Sequence, residues 1–322
     1  MHGGCWALIT TCDDPLHNYA FAKVVWRGQS QPMSYELAIG DRTYSSWSLR
    51  GWLLFAAFDI PVSVKSARMY SDEFKTLTGE FAPAKLVPAA RLDGAVVWDS
   101  LAMAEELASR HPDIAMWPTD PALRAMARSI TAEMHSGFAA LRTDCTMNLG
   151  RHYPTFKPSV AVLADCTRIE LLWDTARAAH NNDGPWLFGE YSIADVFYAP
   201  IATRFATYGL PRSDSSEAYI QTHLAEPNFR RWRSMGKAQN YIQPGYDMDL
   251  PEGEWIGPAP LAAKAVEGTE CENDVCPYSG KTPTHVLEID GRRFGFCREF
   301  CRDKTVADAA AWDDFMKIYG LM

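Results

Sequence analysis

Between residues 35 and 111 the spacing of apolar residues changes period several times, and few folds accommodate that order. YELAIG (35–40) alternates apolar and polar residues with the period of two that a half-buried strand requires. A polar turn, 41–46, leads into an apolar helix expected over 47–58 and stopped at Asp59-Ile60-Pro61. A second strand is expected over 62–67. Strands over 89–92 and 95–98 flank Asp93-Gly94, a dipeptide that favours a tight hairpin. A helix over 100–111 then ends before Pro112. Strand, helix, strand, loop, hairpin, helix describes a small α/β unit of about 80 residues.

The rest of the chain differs. Residues 117–121 form a proline-rich connector, and 122–239 read as mostly helical. Residues 241–260, rich in Pro and Gly, read as a linker or a wrapping tail. A β-like pattern restarts over 285–296, and a closing helix is expected over 307–319. Residues 1–33 show no steady period and read as an extension, with Met33 as an alternative start. The expected organisation is therefore an extension (1–33), an α/β domain (34–116), an all-helical domain (121–240), a linker (241–268) and a small C-terminal unit (269–322).

Composition narrows the function classes. A hydrophobic fraction of 47% with 11 tryptophans fits packed cores. The net charge of −9 argues against a nucleic-acid partner, because phosphate binding needs clustered basic surface. No run of 18 apolar residues occurs, and the opening stretch has no basic, then apolar, leader pattern. No membrane partner and a cytoplasmic location are the expectation.

Three features of the α/β unit bear on chemistry. Ser45 and Ser46 place hydroxyls where the first helix begins, beside free N–H groups and a dipole that favour an anion such as a thiolate. One serine would suffice for plain capping. Lys85-Leu86-Val87-Pro88 precedes the hairpin, where a proline is confined to edges or special turns. Such a Val-Pro exposes backbone groups that a peptide ligand can pair with, strand to strand. Asp99-Ser100 opens the next helix, with Asp99 suited to an ammonium group and Ser100 to a carboxylate.

YSSWSLRGWLLF, KLVPAARLDG and VWDSLAMAEEL together resemble the glutathione-site motifs of the glutathione transferase family, a likeness extending from Ser34 to about Met235. It implies an α/β thioredoxin-like N-terminal domain, an all-α helical C-terminal domain and a homodimer. It also implies activation of the glutathione thiol for attack on a small electrophile, by conjugation or glutathione-assisted isomerisation. Ser45 is implied as the activating hydroxyl, with Ser46 close behind; Lys85, Val87, Pro88, Asp99 and Ser100 would hold the peptide. The spelling of 45–50 is similar to the zeta class, which includes maleylacetoacetate isomerase, although Trp47 stands where that class has cysteine. With no cysteine at the helix start, glutaredoxin-like disulfide chemistry is not expected. The electrophile would sit against a helix over 130–141, where His135 and Arg142 either orient an acid or belong to an ordinary helix face. Ser192 and Asp195 have capping-box spacing and read as structural. Two rivals stand beside the enzyme: a non-catalytic binding module of this fold, and a metal-handling protein with an accessory transferase domain.

Four of the eight cysteines, Cys271, Cys276, Cys297 and Cys301, crowd the C-terminal unit. In a reducing compartment such a cluster reads as a metal site before it reads as disulfides. The segment CPYSGKTPTHVLEIDGRRFGFCREFC is similar to the YHS/TRASH modules, and a hairpin around Asp290-Gly291 would bring Cys297 and Cys301 back to Cys276. A closed tetrahedral zinc site needs a fourth ligand, with Cys271 expected first and His285 second. Nothing in the sequence ties this unit to the first site.

Overall fold

A computed structural model describes residues 17–19, 34–180 and 184–320. The reading of 1–33 as an extension lies outside the described residues, apart from the backbone of β1 (His17–Tyr19), which pairs antiparallel with β3.

β2 (Tyr35–Ile39) shows what its alternation was for. Leu37 and Ile39 enter the main core, while Ala38 joins a smaller core on the opposite face with Leu77, Phe81 and Val87. β2 runs parallel to β3 (Ser63–Ser66) and antiparallel to β4 (Ala89–Leu92), which pairs with β5 (Ala95–Val97) in the sheet order β1-β3-β2-β4-β5. At the β4–β5 turn Asp93 (φ 49°) and Gly94 (φ 93°) both take positive φ, as the tight hairpin demands. Helices α1 (Ser46–Ala56) and α3 (Ser100–Arg110) bury Leu49, Leu53, Met103 and Leu107 in the main core. On the other face lies α2 (Asp72–Glu80), absent from the sequence reading; the Ser71 hydroxyl caps it by accepting from Phe74 N. Helix α1 starts one residue before the expected 47–58 and stops two short.

An all-helical layer follows: α4 (Pro121–Ser136), α5 (Ala139–Asp144), α6 (Val160–Ala178), α7 (Ile193–Tyr208), α8 (Asp214–Ala225) and α9 (Pro227–Gln239). Every residue of α7 is buried. At its start Asp195 accepts from Ser192 N, Leu187 N and the Tyr219 hydroxyl, at 2.9, 3.1 and 2.8 Å. A thioredoxin-like unit followed by an all-α layer is the architecture the resemblance implied. One helix does not hold: the span 130–141 breaks at Gly137, and Phe138 takes the left-handed conformation (φ 60°). Gly137 closes so tightly onto Glu133 that a Cβ there would stand 2.7 Å from its carbonyl oxygen.

The C-terminal unit is a three-stranded sheet, β6 (Ala263–Val266), β7 (His285–Ile289) and β8 (Arg292–Phe296), followed by α10 (Glu299–Ala307) and α11 (Asp313–Tyr319). β6 lies inside the stretch read as a linker, because it pairs antiparallel with β7. Asp290 (φ 49°) and Gly291 (φ 74°) repeat the turn of the first hairpin. The unit does not hang free. Arg230 of α9 grips Asp308 through two bonds of 2.9 and 2.7 Å, and Arg231 donates to Ala311 O and Asp313, both at 2.7 Å. The opposite face of α9 packs on the α/β unit: Trp232 Nε1 donates to Arg42 O at 2.8 Å, and its ring lies 5.4 Å from that of Trp52. A Cβ on Gly236 would come within 2.8 Å of Thr43 Oγ1. Helix α9 is thus clamped between the C-terminal unit and the loop that leads to Ser45, a tie that the sequence did not suggest.

Candidate active site

A cavity of about 600 Å³ opens between the α/β unit and the helical layer. Ser45, Ser46, Lys85, Val87, Pro88 and Asp99 all line it. The structure therefore gathers six of the seven residues expected to bind or activate the peptide. The seventh, Ser100, is fully buried beside Asp99, and its hydroxyl has no partner among the described residues.

The two serines are committed differently. Ser45 is the N-cap of α1; its oxygen accepts from Ser48 N at 3.1 Å and its proton goes to Ser48 Oγ at 2.8 Å. Ser46, the first helical residue, accepts from Arg204 at 3.5 Å, which leaves its own proton undirected. The amides of Ser46 and Trp47 belong to the first helical turn, where no carbonyl of the helix reaches them. The Val87-Pro88 bond is cis, and Pro88 rests on α1 at Gly51, where a Cβ would fall 2.4 Å from the proline Cβ. That close approach holds the Val-Pro corner beside the start of α1.

Asp99 caps α3, accepting from Leu101 N at 2.9 Å, and pairs with His135 Nε2 at 2.8 Å. The bond from His135 holds the Asp99 carboxyl down at about 2, against a smaller desolvation cost. On the other side of the imidazole, Arg50 lies 3.1 Å from Nδ1; a guanidinium can only donate, so Nδ1 accepts and Nε2 carries the proton toward Asp99. His135 therefore stands behind Asp99, outside the cavity lining, and the expectation that it orients an acid substrate is corrected.

Arg142 does line the cavity, but from α5, beyond the break. It folds back to donate to Gly137 O at 2.7 Å and to Met134 O, and its guanidinium lies 5.1 Å from the Trp47 ring centre. Arg50 covers the same indole at 4.7 Å. Sequence reasoning missed Arg204, on α7, which lines the cavity and donates to Cys145 O and Pro200 O. Burial pulls Arg50 down to about 9 and Arg204 to about 10, with Arg142 adding repulsion to each. Arg142 and Arg204 line this wall with Arg50 buried behind it, and the excess of positive charge favours a thiolate and an anionic ligand.

In the C-terminal unit the Sγ atoms of Cys276, Cys297 and Cys301 lie within 4.8 Å of one another, and the last two are 3.9 Å apart. Neither expected fourth ligand belongs to the group: Cys271 donates to Asn273 O, and His285 Nδ1 lies 2.9 Å from Thr284 Oγ1. Hydrogen bonding from Cys301 draws the Cys276 thiol below its usual range.

Comparison with known proteins fits this geometry. The sequence family described as "Glutathione S-transferase, N-terminal domain" matches residues 44–110. Maleylacetoacetate isomerase of Rattus norvegicus is 30% identical over 167 residues, covering 49% of this chain and 72% of the relative. The Mus musculus protein of the same name is 32% identical over 106 residues, so the chain spans only 47% of that relative, and a Caenorhabditis elegans relative is covered to 46%. Among solved structures, a glutathione transferase homolog from Burkholderia with bound glutathione superposes with a TM-score of 0.50 at 20% identity, covering 63% of this chain and 98% of that one. The trimeric glutathione transferase TDR1 of Leishmania gives a TM-score of 0.51 at 14% identity, covering 65% and 47%. At such identities these two speak for the fold alone.

Proposed function

The chain belongs to the glutathione transferase family, and from that premise we propose that it binds glutathione in the 600 Å³ cavity and activates its thiol for attack on a small acidic electrophile. The observation that carries the reading is the convergence of the α1 N-terminus, the cis Val87-Pro88 corner and Asp99 on one cavity. The thiol sulfur would lie at the Ser46 and Trp47 amides, with the Ser46 hydroxyl donating to it. This revises the order read from sequence, because the Ser45 proton is already given to Ser48. The peptide backbone would pair with Val87 and its ammonium group with Asp99, whereas Ser100, fully buried and outside the lining, is not placed to meet its α-carboxylate. Lys85, at the rim, would meet the other carboxylate.

Ionisation releases the thiol proton to solvent, and the thiolate is held by the helix amides, the Ser46 hydroxyl and the field of Arg142 and Arg204. The same guanidiniums favour an electrophile that carries a carboxylate, for conjugation or for isomerisation in the manner named for the rat relative. Glutathione titration by calorimetry, then an electrophile panel on the same preparation, tests the reading. Absence of glutathione binding sinks it; binding without turnover on any electrophile favours a binding module of this fold.

We also propose that Cys276, Cys297 and Cys301 hold one metal ion, zinc by preference. Zinc–sulfur bonds of about 2.3 Å place tetrahedral sulfurs about 3.8 Å apart, close to the 3.9 Å between Cys297 and Cys301. With Cys271 and His285 engaged elsewhere, water would complete the coordination. Metal analysis of protein purified without chelator decides this: a stoichiometric ion lost in Cys297→Ser supports it, and well under half an equivalent overturns it. Tight metal binding without glutathione affinity would favour the metal-handling rival.

A further inference from the structure

The segment after α9 doubles back over the cavity and adds a side chain to it. Tyr246 N donates to Gln243 O at 3.2 Å across a turn in which Gly245 takes φ 81°. From the helical layer, Asn148 Nδ2 donates to Tyr246 O at 3.3 Å and to Asp247 Oδ1 at 2.6 Å, and Arg151 holds Asp247 Oδ2 at 3.0 Å. From the α/β unit, the Tyr44 ring packs on the Tyr246 ring with centres 5.1 Å apart, and the Tyr70 hydroxyl lies 3.3 Å from that of Tyr246. Fixed from both sides, Tyr246 lines the cavity together with Ser46, Arg142 and Arg204.

We propose that Tyr246 is a specificity-determining residue that touches the electrophile and donates its phenolic proton to a carbonyl or carboxylate oxygen. Either hydroxyl can donate the bond they share; when Tyr70 donates it, the Tyr246 proton is left for an oxygen acceptor in the cavity. Burial raises the Tyr246 phenol above its usual range, so it keeps its proton throughout the neutral range. Arg142 and Arg204 supply charge without choosing among anions. A phenol at a fixed place adds the distinction between an oxygen-bearing electrophile and a neutral aryl halide. The choice of electrophile therefore rests partly on a tail that belongs to neither the α/β unit nor the helical layer. The inference rests on the reading of this cavity as the thiol pocket.

The test separates the two. Succinate, a dicarboxylate with no electrophilic carbon, is titrated into the full-length protein without glutathione and followed by ligand-observed NMR. In Tyr246→Phe, which keeps the ring contact with Tyr44, succinate affinity should fall about five- to tenfold. The glutathione affinity should hold. Tyr70→Phe should leave succinate affinity unchanged or raise it, since the Tyr246 proton then has no competing acceptor. Equal losses in both Phe variants would mean that the effect is tail packing, and overturn the proposal; so would unchanged succinate affinity in Tyr246→Phe, or no succinate binding by the parent. If succinate binds and responds as expected while glutathione does not bind, the thiol reading fails and the tyrosine contact stands.

Discussion

The cavity and the cysteine cluster are two candidate sites assembled in opposite ways. The cavity draws on the start of α1, the Val-Pro corner, the start of α3, α5, α7 and the tail, so that its polar groups meet only when two layers close. The cluster draws on a stretch of the C-terminal unit between Cys276 and Cys301, and a single hairpin brings its sulfurs together. The first arrangement spreads its tolerances over many contacts and leaves an accessible void. The second depends on one register, since a slip of one residue in β7–β8 would turn the strand faces over. The comparison teaches that compactness in sequence and exposure to ligand run in opposite directions here.

Helix α9 is the place to break that contrast. Trp232→Ala removes a buried indole packed on Trp52 and bonded to Arg42 O. It should destabilise the protein by about 3–5 kcal/mol, and calorimetry should show the helical layer and the C-terminal unit melting in one lowered transition. An unshifted second transition would show that the regions unfold independently.

Asp308→Ala should cost less, about 1.5–3 kcal/mol, for the loss of a charge-assisted pair with Arg230. Hydrogen exchange should rise first in α10 and the end of α9. Protection lost from the start of α1 to the same degree would make the two sites a single cooperative block.

At the thiol site, Ser46→Ala should raise the pKa of bound glutathione by about one unit, the equivalent of a single hydrogen bond, read from thiolate ultraviolet absorbance against pH. Ser45→Ala should move that pKa less and lower the melting temperature more, because it removes a cap and a bond to Ser48. The reverse order would return the activating role to Ser45.

A further test concerns Asp41, whose backbone oxygen accepts from Ser45 N. Burial pushes its carboxyl up to about 6. A folded pKa above the unfolded value means that the native state binds the extra proton, so this group's contribution fades as pH rises from about 4 to 6 and is flat above. Asp41→Asn should remove that part of the slope from melting temperatures measured across the window; an unchanged slope would assign it to another carboxyl.

Legibility followed the same divide. Strands, the Asp-Gly turns and helix starts were visible because one residue type answers one local need: a period of two for β2, positive φ at Asp93 and Asp290, an oxygen at Ser45. The contributions of Arg204 and Tyr246 were not, because each arises from a tertiary approach that leaves no mark on its neighbours in sequence. His135 misled for a related reason. Its spacing on α4 gave no sign that Arg50 and Asp99 would claim both ring nitrogens. Cys271 looked like a ligand by proximity in sequence, yet its loop turns it to Asn273. Helix α2 was overlooked although Ser71 followed by two acids is an ordinary start signal.

The clamp on α9 also has a bearing on how the protein is made. Helix α9 leaves the ribosome well before α10, and chains emerge at about 5–20 residues per second. For that interval the helical layer is complete except for one wall, with Arg230, Arg231 and their apolar surroundings turned to water. Residues 299–313 then arrive and cover them. The arrival of residues 299–313 is therefore the step that covers this face of α9, and a nascent chain stalled just after α9 would present a basic flank to whatever the cell holds nearby.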